Sequence, residues 1–193
     1  PRMVRLYAAM IVARLPIGID GIALVLFLRH ENRSFGVAGA AAGALALGSA
    51  LGAPVAARLI DSLGARVLLA LAFVHSAGLF VVIALVAGNS PTVVLVPITF
   101  LVGAALPPIS SVLRAAYNTL LANDRALVPS AFALEAVLTE TIFVLGPLMV
   151  AAFVWLASAA AALVASAIFC VAGAAWFLAG RPREIANRRR EGG

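Results

Sequence analysis

At Leu6–Leu28 the chain reads LYAAMIVARLPIGIDGIALVLFL, an apolar run in which Arg14 and Asp20 are the charged positions. A predominantly apolar run of about 18 or more residues is long enough to cross a bilayer as an α-helix. This run is too long for the apolar part of a cleaved signal peptide, and similar runs follow it at once. We therefore predict a retained membrane-spanning helix, whose charged residues need an explanation.

The whole chain shares this apolar character. Of its 193 residues, 64% are hydrophobic and 11% are charged, and the mean hydropathy is +1.10. A soluble domain of this size could not bury so much apolar surface, so the sequence predicts an all-α integral membrane protein. Its apolar runs predict six transmembrane helices, at 6–28, 36–57, 67–87, 92–113, 131–156 and 160–179. They form one transmembrane domain at 1–180, followed by a basic tail at 181–193.

The arginines predict the orientation of these helices. Arg29 and Arg33 fall on one side of the membrane, and a larger group falls on the other: Arg2, Arg5, Arg58, Arg66, Arg114, Arg125, Arg181, Arg183, Arg188, Arg189 and Arg190. Because cytoplasmic loops carry the excess of basic residues, we expect both termini in the cytoplasm. The basic residues are all arginine and alanine is abundant, which is typical of a high-GC bacterial genome. The predicted location is thus a bacterial cytoplasmic (inner) membrane.

The basic tail has a simple explanation in the same topology. Three consecutive arginines, at residues 188–190, follow the last predicted helix closely enough to contact lipid headgroups. Each such contact with an anionic headgroup contributes about 1 kcal/mol. We therefore expect the lipid bilayer as a partner and no nucleic acid.

Charged residues within the predicted helices mark the candidate site. A charge at the bilayer centre costs about 2.5–3.5 kcal/mol on insertion scales, so such residues face the protein interior or a wet cavity. Arg14 and Asp20 are about 9 Å apart along the helix axis and about 120° apart around it, so they should not pair. Their depths predict instead an ion pair between Arg14 and Glu140, with Glu135 nearer the inner mouth. Asp20 is then the acid expected to bind and release a proton, and His75 is expected to bond a neighbouring carbonyl or hydroxyl.

These charges have a second interpretation, a static network that only fixes the packing of the helices. The helix breakers favour a functional role. The first helix contains Pro16 and Gly18, and the fourth contains Pro97, Pro107 and Pro108; each proline removes a backbone hydrogen bond and bends its helix. If the six helices form two triplets, the interrupted helices occupy corresponding positions, which points to a transporter binding site, although neighbouring helices can also simply tolerate such breaks.

The second predicted helix is rich in small residues. Gly39 and Gly43 are four residues apart, as are Gly48 and Gly52. Small residues at this spacing let helix backbones approach closely within a membrane. The stripe predicts close packing, either inside the six-helix unit or against a second copy of the chain.

Taken together, these features resemble the major facilitator superfamily of secondary transporters, specifically one six-helix half of that fold, over almost the whole chain. The family pattern after the second helix is Gly-x-x-x-Asp-Arg-x-Gly-Arg-x-Arg, and this chain reads Ala57-Arg-Leu-Ile-Asp-Ser-Leu-Gly-Ala-Arg-Val. Asp61 and Gly64 match the pattern. The resemblance implies a gating role for this loop, with Arg58 and Arg66 as partial substitutes for the missing arginines. The departures are Ala57, Ser62, Ala65 and Val67.

Gly146 and Pro147 resemble the core of the Gly-Pro motif of the family's drug/proton antiporters. The resemblance implies alternating access and proton-coupled export of a small drug-like or amphipathic substrate, with a proton or ion gradient in place of a cofactor. If the chain is complete, the resemblance also implies a parallel homodimer with its two-fold axis along the membrane normal. The second helix would then contact the partner's fifth, and Asp61 would lie at the partner's Pro129 and Ser130.

Other interpretations stay open. The chain could be a non-transporting accessory or scaffold membrane protein, or one half of a longer twelve-helix transporter. An enzyme is not expected, because the sequence contains neither HExxH nor Gly-x-Ser-x-Gly.

Overall fold

The computed structural model describes residues 2–120 and 125–179, with side chains described for 7–114 and 126–179. All of the regular secondary structure in this part of the chain is helical. The helices are α1 (Arg2–His30), α2 (Phe35–Leu63), α3 (Arg66–Ala87), α4 (Thr92–Ala104), α5 (Ile109–Leu120), a 3-10 turn (Arg125–Leu127), α6 (Val128–Leu156) and α7 (Ala159–Ala179). The predicted tail at 181–193 lies outside the described residues.

Six spans are long and apolar enough to cross a membrane. Five of them lie in α1, α2, α3, α6 and α7, and the sixth runs from Thr92 to Arg114 through α4 and the first half of α5. The prediction of an all-helical chain with six helices able to span a membrane is therefore confirmed for the described residues. The observed helices extend past the predicted limits by up to six residues, from 36–57 to Phe35–Leu63 in α2 and from 6–28 to Arg2–His30 in α1.

The turns between helices use residues suited to them. Ser34 caps the start of α2, where its Oγ accepts a hydrogen bond from the Val37 N–H at 3.2 Å. Asn32 and Asn89 have positive φ angles of 59° and 58° at the ends of α1 and α3. Gly64 ends α2 with φ of +93°, a conformation that glycine adopts without steric cost.

The helix predicted at 92–113 is broken in two. Pro107 and Pro108 have no N–H to donate, so the α-helical hydrogen-bond ladder cannot continue through them. Just before them, the N–H of Leu106 donates to the carbonyl of Gly103 at 3.0 Å, one carbonyl closer than its α-helical partner Val102. The break thereby makes the Val102 carbonyl available to another helix.

The helices pack through close backbone contacts. α1 runs along α7 and also contacts α6 and α2, α2 runs along α4, and α3 lies against both α4 and α7. A Cβ added to Gly146 of α6 would clash with the backbone carbonyl of Gly18 in α1, so only glycines allow this crossing. The helices are buried to different extents: in an apolar stretch of 18 residues, 61% is buried within the chain for α1 but only 17% for α6.

The glycine stripe of α2 divides between two faces. A Cβ on Gly48 would clash with the backbone carbonyl of Phe100, and one on Gly52 would clash with that of Ala104. These two glycines therefore pack against α4 of the same chain, as in the first of the two predicted alternatives, and not against a second copy. Gly39 and Gly43 lie on another face, because Gly43 and Gly48 are about 140° apart around the helix. Nothing among the described residues lies within 4 Å of a Cβ added to either.

Candidate functional site

Three helices meet at Asp20. This residue lies in the middle of α1 and is only 4% exposed. Its Oδ2 is 3.0 Å from Nε2 of His75 in α3, and its Oδ1 accepts a hydrogen bond from Oγ of Ser166 in α7. A carboxylate that is buried within a membrane span is thus held by an imidazole and a hydroxyl from two other helices.

The second nitrogen of His75 determines where the protons are. Its Nδ1 lies 2.8 Å from the carbonyl oxygen of Val102, which can only accept a hydrogen bond, so Nδ1 carries a hydrogen. The contact between Nε2 and Asp20 Oδ2 then needs one proton between them. That proton can lie on the imidazole or on the carboxyl group. The Asp20–His75 pair therefore shares one proton.

The hydrogen bond from His75 to a carbonyl confirms one sequence prediction, whereas the Asp20 contact was missed. Measured from the ends of their helices at His30 and Ala87, Asp20 and His75 differ in depth by about 3 Å in ideal helices. The two residues are thus at similar depth, but depth does not show which side of α3 faces α1, and the sequence-based prediction gave His75 only a carbonyl or hydroxyl partner.

A pocket of about 280 Å³ opens beside this pair. Pro16, Ile17 and Asp20 of α1 line one side of it, and Ser49 of α2 and His75 of α3 also border it. Most of the remaining lining is apolar and comes from α1, α2 and α4. The shared proton of Asp20 and His75 thus lies next to a small, mainly apolar pocket.

The predicted helix breaks contribute to this region in different ways. Pro16 lines the pocket, as does Leu106, the residue before the Pro107-Pro108 pair. Gly18 instead packs against Gly146. Because a Cβ on residue 146 would clash with the backbone of Gly18, this contact explains why the Gly-Pro sequence has a glycine there. Pro97 lies on an exposed part of α4, and Pro147 is half-buried in α6.

A second polar cluster surrounds Glu135, which is 1% exposed. Its Oε1 lies 3.6 Å from Nη1 of Arg14, and its Oε2 accepts a hydrogen bond from Nε of Arg114 at 3.1 Å. Thr139 joins the cluster, because its Oγ1 accepts from Nη2 of Arg14 at 3.0 Å and donates to the carbonyl of Glu135 at 2.8 Å. One buried carboxylate thus links α1, α5 and α6.

The predicted Arg14–Glu140 ion pair is wrong, because Arg14 faces Glu135. The two glutamates are five residues apart in α6, which places them about 140° apart around the helix. The depth of a residue along the membrane does not show which of these two faces of α6 it lies on. Glu140 lies on the exposed face of α6, and no ion pair or hydrogen bond of its side chain occurs within residues 2–120 and 125–179.

The residues of the predicted gating loop lie at the surface of the chain, but the prediction of a loop is largely wrong, because Arg58 and Asp61 belong to the last turns of α2 and Arg66 begins α3. Arg58, Asp61 and Arg66 are exposed, and Gly64 is partly buried. The conformation of Gly64 explains why the turn needs glycine there, and the exposure leaves the charged residues accessible to another unit.

Comparisons with known proteins give no relative for this chain. No protein-family model matches the sequence. No curated protein and no solved structure matches it either.

Proposed function

We propose that this chain is one six-helix unit of a proton-coupled secondary transporter, which works by alternating access with a second copy of itself. The observation that carries the proposal is the Asp20–His75 pair, which holds one exchangeable proton beside a pocket in the middle of the membrane spans. Ionisable residues inside a membrane are costly and usually mark ion or substrate pathways.

The chemistry of the pair suggests how a proton gradient is used. With its proton, the pair has no net charge, whereas loss of the proton leaves a carboxylate beside a neutral imidazole. That negative charge is unfavourable in a dry interior and is stabilised by water. Proton release is therefore coupled to opening of the pocket toward one aqueous side.

The pocket supports a small amphipathic substrate. Its lining is mostly apolar, with Asp20, Ser49 and His75 as the polar groups. At about 280 Å³ it lies just below the range of about 300–1,000 Å³ that is usual for drug-sized ligands. A second six-helix unit facing this side would enlarge the space, as expected if the substrate binds between two units.

The packing of the helices supports a 3+3 arrangement. α1 contacts α6 and α7, and α4 contacts α2 and α3. If α1, α2 and α3 are matched in order with α4, α6 and α7, the contacts of α1 with α6 and α7 correspond to the contacts of α4 with α2 and α3. This correspondence favours the half-fold of the major facilitator superfamily, in which two such triplets form one unit.

A structural role is the competing proposal, and one observation favours it. Both carboxylate oxygens of Asp20 are already used in contacts with α3 and α7. The same contacts would result if the pair only tied three helices together. The two proposals predict different effects on transport when the Asp20 carboxyl group is replaced by the isosteric amide of asparagine.

The test is transport by purified protein in liposomes that contain an internal pH dye, with amphipathic dyes of positive, zero and negative charge as probes. We expect wild type to couple dye movement to proton movement. Asp20→Asn should lose proton coupling while still exchanging dye for dye. Glu31→Gln, which removes an exposed carboxylate between α1 and α2, is the matched control. Folded wild type that moves neither protons nor any dye would support the structural proposal instead.

A further inference from the structure

Arg33 has an unusual environment in the turn of residues 31–34 between α1 and α2. Its side chain is partly buried, and its Nε and Nη2 are closed off from solvent without a hydrogen-bond partner among the described residues. Arginine stays charged in proteins and can only donate hydrogen bonds. A buried charged donor that lacks an acceptor is costly. These two nitrogens therefore need oxygen acceptors that the described residues do not supply.

The backbone of Arg33, by contrast, is held at both of its polar groups. Its N–H donates to the carbonyl of Leu28 at 2.9 Å, and its carbonyl accepts a hydrogen bond from Nη1 of Arg29. Cζ of Arg29 also lies 3.9 Å from the centre of the Phe35 ring. These contacts fix the turn and leave the guanidinium of Arg33 as the part that lacks a partner.

The chain offers no carboxylate to Arg33 among its described residues. Glu31 is the nearest acid in sequence, but its side chain is exposed and takes part in none of the ion pairs there. The stretches without described side chains are 1–6, 115–125 and 180–193. In a chain of six alternating spans they adjoin helix ends on the side of the membrane opposite Arg33. An acceptor for Arg33 is thus expected from outside the chain.

The turn lies at the level where lipid headgroups are expected. Arg33 comes three residues after the end of α1 at His30. On the same side of the membrane α6 ends at Leu156, and Trp155 beside it is 84% exposed. Tryptophan is enriched at membrane–water interfaces, where its ring sits among the headgroups. Phosphate groups of this leaflet are therefore close to Arg33.

A phosphate group matches the chemistry of the Arg33 side chain. The guanidinium presents its donors as a planar fork, and phosphate oxygens accept from two of its nitrogens at once. Nη1 is not closed off as Nε and Nη2 are, so a ligand can approach from that side. Residues 29–33 contain two arginines and one glutamate, which gives the turn a net positive charge. Charge and geometry both favour an anion with several oxygens.

We propose that the α1–α2 turn binds a phosphate group through Arg33, with Arg29 fixing the turn and adding positive charge. The group belongs either to a phospholipid headgroup or to free phosphate, and the experiment separates these two sources. The site does not depend on the Asp20–His75 pair or on transport, so its failure would leave the proposed function untouched.

The test compares the unfolding of purified protein in detergent micelles, first without phospholipid or phosphate and then with added phosphatidylglycerol. Without ligand, Arg33→Gln should be at least as stable as wild type, because it removes a charge that lacks a partner. With the lipid this order should reverse. The lipid concentration for half-maximal stabilisation should be about tenfold or more higher for Arg33→Gln, because a hydrogen bond between charged groups is lost. Wild type that is the more stable without ligand would overturn the proposal.

Two further variants separate the site from the general attraction between arginines and anionic lipid. Arg58→Gln removes an exposed arginine near the other end of α2 and should keep the wild-type dependence on lipid. Arg33→Lys keeps the charge but cannot form the fork, and should need several times more lipid than wild type. Equal effects of Arg33→Gln and Arg58→Gln, or wild-type binding by Arg33→Lys, would also overturn the site.

The source of the phosphate is found with two other ligands, inorganic phosphate and a glycolipid that has the same acyl chains but no phosphate. If inorganic phosphate stabilises wild type more than Arg33→Gln, against sodium chloride at equal ionic strength, free phosphate occupies the site. If only phosphatidylglycerol does so, the ligand is a headgroup. If the glycolipid acts as strongly as phosphatidylglycerol, or if neither phosphate source distinguishes wild type from Arg33→Gln, the proposal is wrong.

Discussion

Oδ2 of Asp20 in α1 lies 3.0 Å from Nε2 of His75 in α3, inside the membrane-spanning part of the chain. The proline break after α4 contributes to this contact. It makes the Val102 carbonyl available, and that carbonyl fixes the orientation of the imidazole at 2.8 Å from Nδ1. A helix break that the sequence indicates thus orients a proton-binding group on a different helix.

We expect Ser166→Ala to destabilise the protein more than Ser76→Ala. Both serines are buried where α3 and α7 meet, but Ser166 donates to the Asp20 carboxyl group, whereas Ser76 donates to the Ala167 carbonyl at 2.9 Å. Loss of a hydrogen bond to a charged group costs about 1.5–3 kcal/mol, which applies when the shared proton lies on His75, and loss of a neutral one costs about 1 kcal/mol. Unfolding free energies in mixed micelles measure the difference. Equal losses would mean that Asp20 gains little from Ser166.

The number of membrane spans could be predicted from the sequence because run length and apolarity decide it. Leu6–Leu28 and the later runs leave few alternatives in a bilayer. The division of the fourth span was only partly predictable: Pro107 and Pro108 indicated a break, but not that α4 would end at Ala104 and α5 begin at Ile109.

The partners of the charged residues were less predictable, because depth along the membrane does not specify direction around a helix. Arg14 and Glu140 lie at similar predicted depths, but Arg14 contacts Glu135 instead. Choosing between these glutamates requires knowledge of which side of α6 faces α1. The close crossing at Gly18 and Gly146 determines that side, and one sequence alone did not reveal it.

The two glutamates of α6 should respond differently to the same substitution. Glu135→Gln leaves Arg14 buried without its carboxylate, and breaking a buried ion pair costs about 3–5 kcal/mol. Glu140→Gln changes an exposed side chain, so the stability of the single six-helix unit should change by about 0.5 kcal/mol or less. The comparison requires unfolding in detergent, at a protein concentration where copies do not associate. Similar losses from both variants would contradict the contacts of Glu135.

The two arginines that contact Glu135 should also differ. The side chain of Arg114 is 60% exposed, whereas that of Arg14 is 6% exposed. Exposed ion pairs contribute about 0–1 kcal/mol because water screens them. We therefore expect Arg114→Gln to cost about 1 kcal/mol or less, and Arg14→Gln to cost several times as much, in the same unfolding assay. A larger loss from Arg114→Gln would show that the exposed arginine is the main partner of Glu135.

Two glycines of α1 provide a test of the packing itself. A Cβ on Gly18 would lie 2.6 Å from the carbonyl oxygen of Ile142, and backbone cannot move aside cheaply, whereas nothing among the described residues lies within 4 Å of a Cβ on Gly21. Gly18→Ala should therefore destabilise the protein by about 1–3 kcal/mol through overpacking.

Gly21→Ala should instead stabilise the protein by up to about 1 kcal/mol, because alanine favours a helix interior over glycine. Both variants add one methyl group to the same helix, three residues apart, so they differ mainly in the neighbour that the methyl group meets. Changes in unfolding free energy of opposite sign for the two variants would support the α1–α6 crossing. Stabilisation by Gly18→Ala would mean that α1 and α6 are farther apart than described, and the contact of Arg14 with Glu135 would then be in question as well.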